Sequence, residues 1–123
     1  MVRYWTPDEA NAALPRVGAV VRRMRDAAAK ARERVERIAE HAPTNGHLSP
    51  DESAEALQAA VRELAADGIV VRDAQAGLVD FPARSPSGRP YWLCWVLDEP
   101  AVEFWHWPED GFAGRTPLTD PPA

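Results

Sequence analysis

The chain has 123 residues and a net charge of −5, and it is 46% hydrophobic and 27% charged, the proportions of one globular core rather than of a disordered or fibrous chain. Its single cysteine, Cys94, excludes an internal disulfide and points to a reducing compartment, and the acidic balance argues against general affinity for nucleic acid. No stretch approaches the ~20 apolar residues that span a bilayer, and the opening MVRYWTPDEA has no secretory pattern, so the expectation is a cytoplasmic protein with neither a membrane nor a nucleic-acid partner.

The first helix is announced at Thr6-Pro7-Asp8-Glu9. Thr6 can cap free backbone N–H groups, Glu9 can reach back three residues to it, and Pro7 takes the first helical position, where no N–H is needed. Behind it Leu14, Val17, Val21, Met24, Ala28, Ala31, Val35, Ile38 and Ala42 alternate steps of three and four. This is the seam of a helix lying along another helix. Pro15 predicts a kink near residues 11–15. The helix is predicted over 6–42, ending before Pro43, with a loop at Thr44-Asn45-Gly46-His47.

A second capping box, Ser49-Pro50-Asp51-Glu52, opens a helix over 49–67. Ala54, Leu57, Val61 and Leu64 form its stripe, and Gly68 stands where a left-handed cap is expected. The first helix is about 50 Å long at 1.5 Å per residue and its partner about half that. The surplus alanine-rich seam suggests a homodimer through the hairpin. From Arg16 to Arg37 eight basic residues face three acids, whereas from Asp98 onward six acids face Arg115 alone. The basic run reads as a solvated helix face, although the two ends could also attract each other.

After Gly68 the period changes to 2. Ile69-Val70-Val71-Arg72, Leu78-Val79-Asp80-Phe81, Tyr91-Trp92-Leu93-Cys94-Trp95-Val96 and Val102-Glu103-Phe104-Trp105-His106-Trp107 read as four short strands joined by turns. Pro82 ends the second of them or marks a sheet edge. The expected architecture is therefore α+β: a long antiparallel helical hairpin packed with a four-stranded antiparallel meander over 69–107. An irregular tail over 108–123 completes one domain, 1–123.

Several segments resemble a bacterial and archaeal family known as domain of unknown function 2203. They are Tyr4-Trp5-Thr6-Pro7-Asp8-Glu9-Ala10-Asn11 with Leu14-Pro15, Gly77-Leu78-Val79-Asp80-Phe81-Pro82-Ala83, Leu93-Cys94-Trp95, Phe104-Trp105-His106 and Gly111-Phe112-Ala113-Gly114-Arg115. The middle of the hairpin departs from it. The resemblance implies a family and no activity.

The chemistry-bearing residues lie in the strands. Alternation puts Phe104 and His106 on one face and Glu103, Trp105 and Trp107 on the other. In a meander, Asp80 and Cys94 could approach His106 or Glu103. Imidazole and carboxylate donors suit a divalent transition metal, Zn, Fe, Mn or Ni, so Asp80, Glu103 and His106 are the candidate metal ligands. No paired ligand spacing is present, and His106 reads equally as a half-buried histidine with its hydrogen bonds satisfied.

Asp80 among apolar neighbours is costly to bury alone. It either points outward or is neutralised by Arg72, Arg89, Arg115 or a cation. Arg115 could instead clamp a carboxylate or phosphate, with Trp95 and Trp105 as the aromatic part of a ligand site. Cys94 reads as an inert small hydrophobe rather than a nucleophile. Half of the aromatics are expected in the core and half on a face that marks a pocket or interface, unless residues 111–118 cover it. A binding domain for a metal ion or small anionic ligand orders these residues best. An interaction module acting through the hairpin comes second, and a small metal-dependent enzyme third.

Overall fold

In a computed structural model, which describes residues 3–40 and 52–123, the chain is α+β: two helices precede an antiparallel sheet. Helix α1 spans Pro7–Glu40 and α2 spans Glu52–Ala66. The predicted second capping box at Ser49-Pro50-Asp51, the loop at 44–47 and the helix end at Ala42 lie outside the described residues. No helix among the described residues is long and apolar enough to cross a membrane.

The local signals at the helix ends are realised. Glu9 N–H donates to the Thr6 hydroxyl at 3.1 Å, and Thr6 N–H donates to the Glu9 carboxylate at 3.0 Å. At the other end of the hairpin, Gly68 N–H donates to the Ala65 carbonyl and Ile69 N–H to that of Leu64. With Gly68 at φ +76, this is a Schellman cap. Helix α1 runs without interruption through Pro15. The helices are antiparallel neighbours, with Arg16 bonded to Asp67 at 2.8 Å and Arg23 to Glu63 at 3.2 Å.

The apolar seam is buried only along part of its length. Val17, Val21, Met24 and Ala28 are in the core, joined by Val20 and Ala27, whereas Val35 is 66% exposed. In α2, Ala60 and Leu64 are buried and Ala54 is exposed. The reason is geometric: the sheet packs under the first half of α1, so a second apolar row is covered there and the far half has less to lie against. Part of the charge asymmetry closes within the chain, since Arg22 and Arg25 both reach Asp98, at 3.6 and 3.3 Å.

The sheet has five strands, in the order β1 (Val70–Asp73), β2 (Leu78–Arg84), β3 (Pro90–Val96), β4 (Phe104–His106) and β5 (Thr116–Pro117). The expectation of four strands and an irregular tail is corrected by β5. It pairs Thr116 with Trp105 and Pro117 with Phe104, while Leu118 N–H donates to the Glu103 carbonyl. Pro82 lies inside β2, opposite Trp92. Strand β1 covers only residues 78–80 of β2, so the outer edge at Pro82 needs no donor for a ladder. Its carbonyl accepts from Trp5 N–H at 2.7 Å, tying the segment before α1 to the sheet.

Alternation then divides the sheet. Val79, Phe81, Tyr91, Leu93, Trp95 and Trp105 join α1 and α2 in the core. Asn11 fixes the approach from the helix side: its carbonyl oxygen accepts from Val102 N–H at 2.7 Å and its amide donates to the Val102 carbonyl at 3.2 Å. The opposite face carries Asp80, Cys94 and His106.

Candidate functional site

Three adjacent strands each contribute one residue to this second face. Asp80 on β2 is the register partner of Cys94 on β3, and Cys94 is the partner of Phe104 on β4. His106 lies two residues beyond Phe104, on the same side. Side chains in such diagonal positions can reach one another. The Asp80 carboxylate, Cys94 sulfur and His106 imidazole supply three donor atoms within 4.8 Å of one another, and all three residues are buried.

The hydrogen bonds define what the cluster lacks. His106 Nδ1 donates to the Trp107 carbonyl at 2.8 Å, an oxygen that can only accept, so this nitrogen carries a hydrogen. His106 Nε2 lies 2.9 Å from Asp80 Oδ2, and Arg72 Nε donates to the same oxygen at 2.8 Å. A neutral ring with its hydrogen on Nδ1 turns the Nε2 lone pair toward a carboxylate. That contact is favourable only with a cation between them, either a proton on Nε2 or a metal ion. Asp80 Oδ1 is buried without a hydrogen-bond partner, a costly state for a carboxylate oxygen.

Burial first, and then the Asp80 carboxylate, push the Cys94 thiol up to about 12, with Arg115 opposing. His106 turns its Nδ1 to the Trp107 carbonyl and its Nε2 to Asp80, so neither ring nitrogen is directed at the sulfur. The three residue types thus do not form an activated nucleophile. In metal-free protein the thiol has a further consequence. The unfolded chain ionises Cys94 near its ordinary 9.0, whereas the folded chain keeps that proton to about 12. Between these values the native state binds more protons, so stability falls as pH rises. Tyr91, also raised by burial above 10.0, acts in the same direction. Urea midpoints are expected to decline across that range, and Cys94→Ala should flatten its lower part. An unchanged slope in the variant would show that the thiol does not contribute.

The expected ligand sets divide. Asp80 and His106 meet, but Glu103 does not join them. It is exposed and precedes β4 on the other side of the alternation, and Cys94 takes its place among the donors. Arg115 does not clamp Asp80 or Glu103. Its Nη2 donates to Glu99 at 2.6 Å and to the Cys94 carbonyl at 3.4 Å, and its guanidinium lies over the rings of Phe104 and Phe112. Arg89 pairs with Glu109. The arginine at Asp80 is Arg72, steadied over the Trp92 ring. Trp95 and Trp105 are not at the site. They are buried in the core on the helix side, their indole N–H groups donating to the carbonyls of Glu99 and Asp120.

Residues 108–115 fold back over the face, so it is not an open aromatic patch. Pro108, Gly111 and Phe112 close one side of a cavity of about 230 Å³, with Arg72, Leu78 and the three donors forming the remainder. Cys94 was recognisable as a donor from one signal. The turn between β2 and β3 is centred on Ser87, which sets Asp80 and Cys94 at equal distances from it.

A family described as "Uncharacterized conserved protein (DUF2203)" has a model that matches residues 3–118. No curated protein and no solved structure matches the chain.

Proposed function

The chain belongs to this family of uncharacterized conserved proteins, and we propose that it acts as a binding domain for a divalent transition-metal ion held by Asp80, Cys94 and His106. The observation that carries the reading is the orphaned, buried Asp80 Oδ1 beside a histidine whose other nitrogen is already fixed on the Trp107 carbonyl. A backbone acceptor on one ring nitrogen is the arrangement that orients a ligating imidazole. The pair of a thiol and an imidazole with one carboxylate favours zinc among the candidates. A tetrahedral ion with bonds of about 2.0–2.3 Å sets its donors roughly 3.3–3.8 Å apart, which small side-chain shifts within the cluster reach.

Three protein donors leave one position of a tetrahedral ion facing the cavity. Such an arrangement binds an exogenous ligand, unlike a closed four-ligand site that only supports the fold. Binding must displace the Cys94 proton, so loading releases acid.

Untagged protein purified without chelator is expected to contain stoichiometric zinc by elemental analysis. After chelation, zinc restored at about a hundred times its Kd should raise the unfolding free energy by about 2.7 kcal/mol. Cys94→Ser and His106→Ala should each lose both effects while keeping the far-ultraviolet circular dichroism of the parent. Wild-type protein that contains no metal and gains no stability from added zinc would overturn the proposal.

A further inference from the structure

Among the residues around the cavity, Arg72 has an unused capability. Its Nε is held by Asp80 Oδ2 and its guanidinium plane rests over Trp92. Among the described residues its two terminal nitrogens make no hydrogen bond. Arg72 lines the cavity, and a guanidinium anchored in this way with its terminal N–H groups free is suited to an oxyanion, which it can meet with two parallel donors. The other arginine nearby, Arg115, does not line the cavity: its Nη2 is on Glu99 and the Cys94 carbonyl, and its unpaired Nε is buried.

The cavity limits the size of the guest. At about 230 Å³ it holds roughly the volume of eight waters, and is smaller than the ~300–1,000 Å³ usual for drug-sized ligands. The side that closes over the donors, Pro108, Gly111 and Phe112, offers no charged group, and Leu78 adds apolar surface beside Asp80. An oxyanion bearing a short hydrocarbon tail would satisfy both the guanidinium and that wall, whereas inorganic phosphate would leave the wall facing polar oxygens.

The geometry points to a short-chain carboxylate as the ligand of this site, its carboxyl group shared between Arg72 and the open metal position and its tail against Phe112. This rests on the metal reading above and adds the ligand class to it.

Zinc-loaded protein titrated calorimetrically with acetate, butyrate and inorganic phosphate tests it, with metal content measured on the same samples. Butyrate should bind more tightly than acetate, by up to about fourfold for each added methylene, and phosphate more weakly than either. Arg72→Gln should retain zinc and lose about tenfold or more in carboxylate affinity. If that variant fails to fold, Phe112→Ala, a change at a half-exposed wall residue, should retain zinc and acetate binding and lose the preference for butyrate. Zinc-loaded protein that binds no carboxylate overturns the inference and leaves the metal site standing. Phosphate binding without carboxylate binding overturns the assignment of ligand class. Absence of zinc from the wild-type samples removes the metal reading, and this inference with it.

Discussion

Asp80→Asn is expected to destabilise the metal-free protein by about 3 kcal/mol, the largest effect of any isosteric change at the site. The carboxylate accepts from Arg72 and faces His106 through the same oxygen, and only 1% of its side chain reaches solvent. An asparagine keeps the shape but offers one neutral oxygen: with that oxygen on Arg72 the charge is lost, and turned the other way its N–H can donate to Nε2 of a neutral His106 but leaves Arg72 Nε facing a donor. Removing one member of a buried charged group typically costs about 3–5 kcal/mol, because the remaining charge is left without compensation. The lower end applies because Arg72 is 41% exposed and recovers part of its solvation. Urea unfolding in the presence of chelator measures the difference without interference from metal. A loss below about 1 kcal/mol, the scale of an average substitution, would show that this carboxylate is not paired in solution.

Phe81→Ala tests the opposite face of the same strand and is expected to cost about 4 kcal/mol, within the range for deleting a buried aromatic side chain. Phe81 is fully buried, and its ring meets that of Trp5 edge to face at 5.2 Å. Trp5 in turn donates its indole N–H to the Asp67 carbonyl and its backbone N–H to Pro82. The cavity left by alanine therefore opens at the joint between the segment before α1, the end of α2 and the sheet. Denaturant unfolding should show the loss of stability, accompanied by a red shift of tryptophan emission as Trp5 gains water. Phe81→Leu should recover most of both. Equal stability of the alanine variant and the parent would place Phe81 outside the core.

The two substitutions differ by one residue along β2 and act through unrelated physics, one through charge and the other through volume. This follows from period-2 alternation: Asp80 belongs to the site face and Phe81 to the helix face. The same alternation explains why the conspicuous tryptophans are poor guides to a ligand site. Trp95 and Trp105 are large and apolar, and the helix face is where such area is most favourably buried. Trp92, on the site side, supports Arg72.

Features governed by neighbours three to five residues apart are legible in the sequence alone. The capping box at Thr6 and Glu9, the glycine cap at Gly68 and the change of period after it each depend on local backbone geometry. The α+β order of elements follows from them, as does the meander, whose turns are too short for any other connection. The costliness of Asp80 is equally legible, because a carboxylate among apolar strand residues requires a partner wherever it is placed.

The partners were decided by the tertiary structure. Three arginines were chemically able to neutralise Asp80. Strand β1 pairs Val70 with Asp80, which brings Arg72 within reach, while Glu99 and Glu109 draw off Arg115 and Arg89. Glu103 and Cys94 exchanged places as donors for a related reason. Strand register, set by the whole sheet, turned the thiol inward opposite Asp80 and left the glutamate in solvent. Composition and spacing thus determined that this chain would form a helical hairpin with a sheet and would bury a charge needing company. Which groups keep that company depends on contacts between residues distant in sequence, whose approach is set by packing across the whole domain.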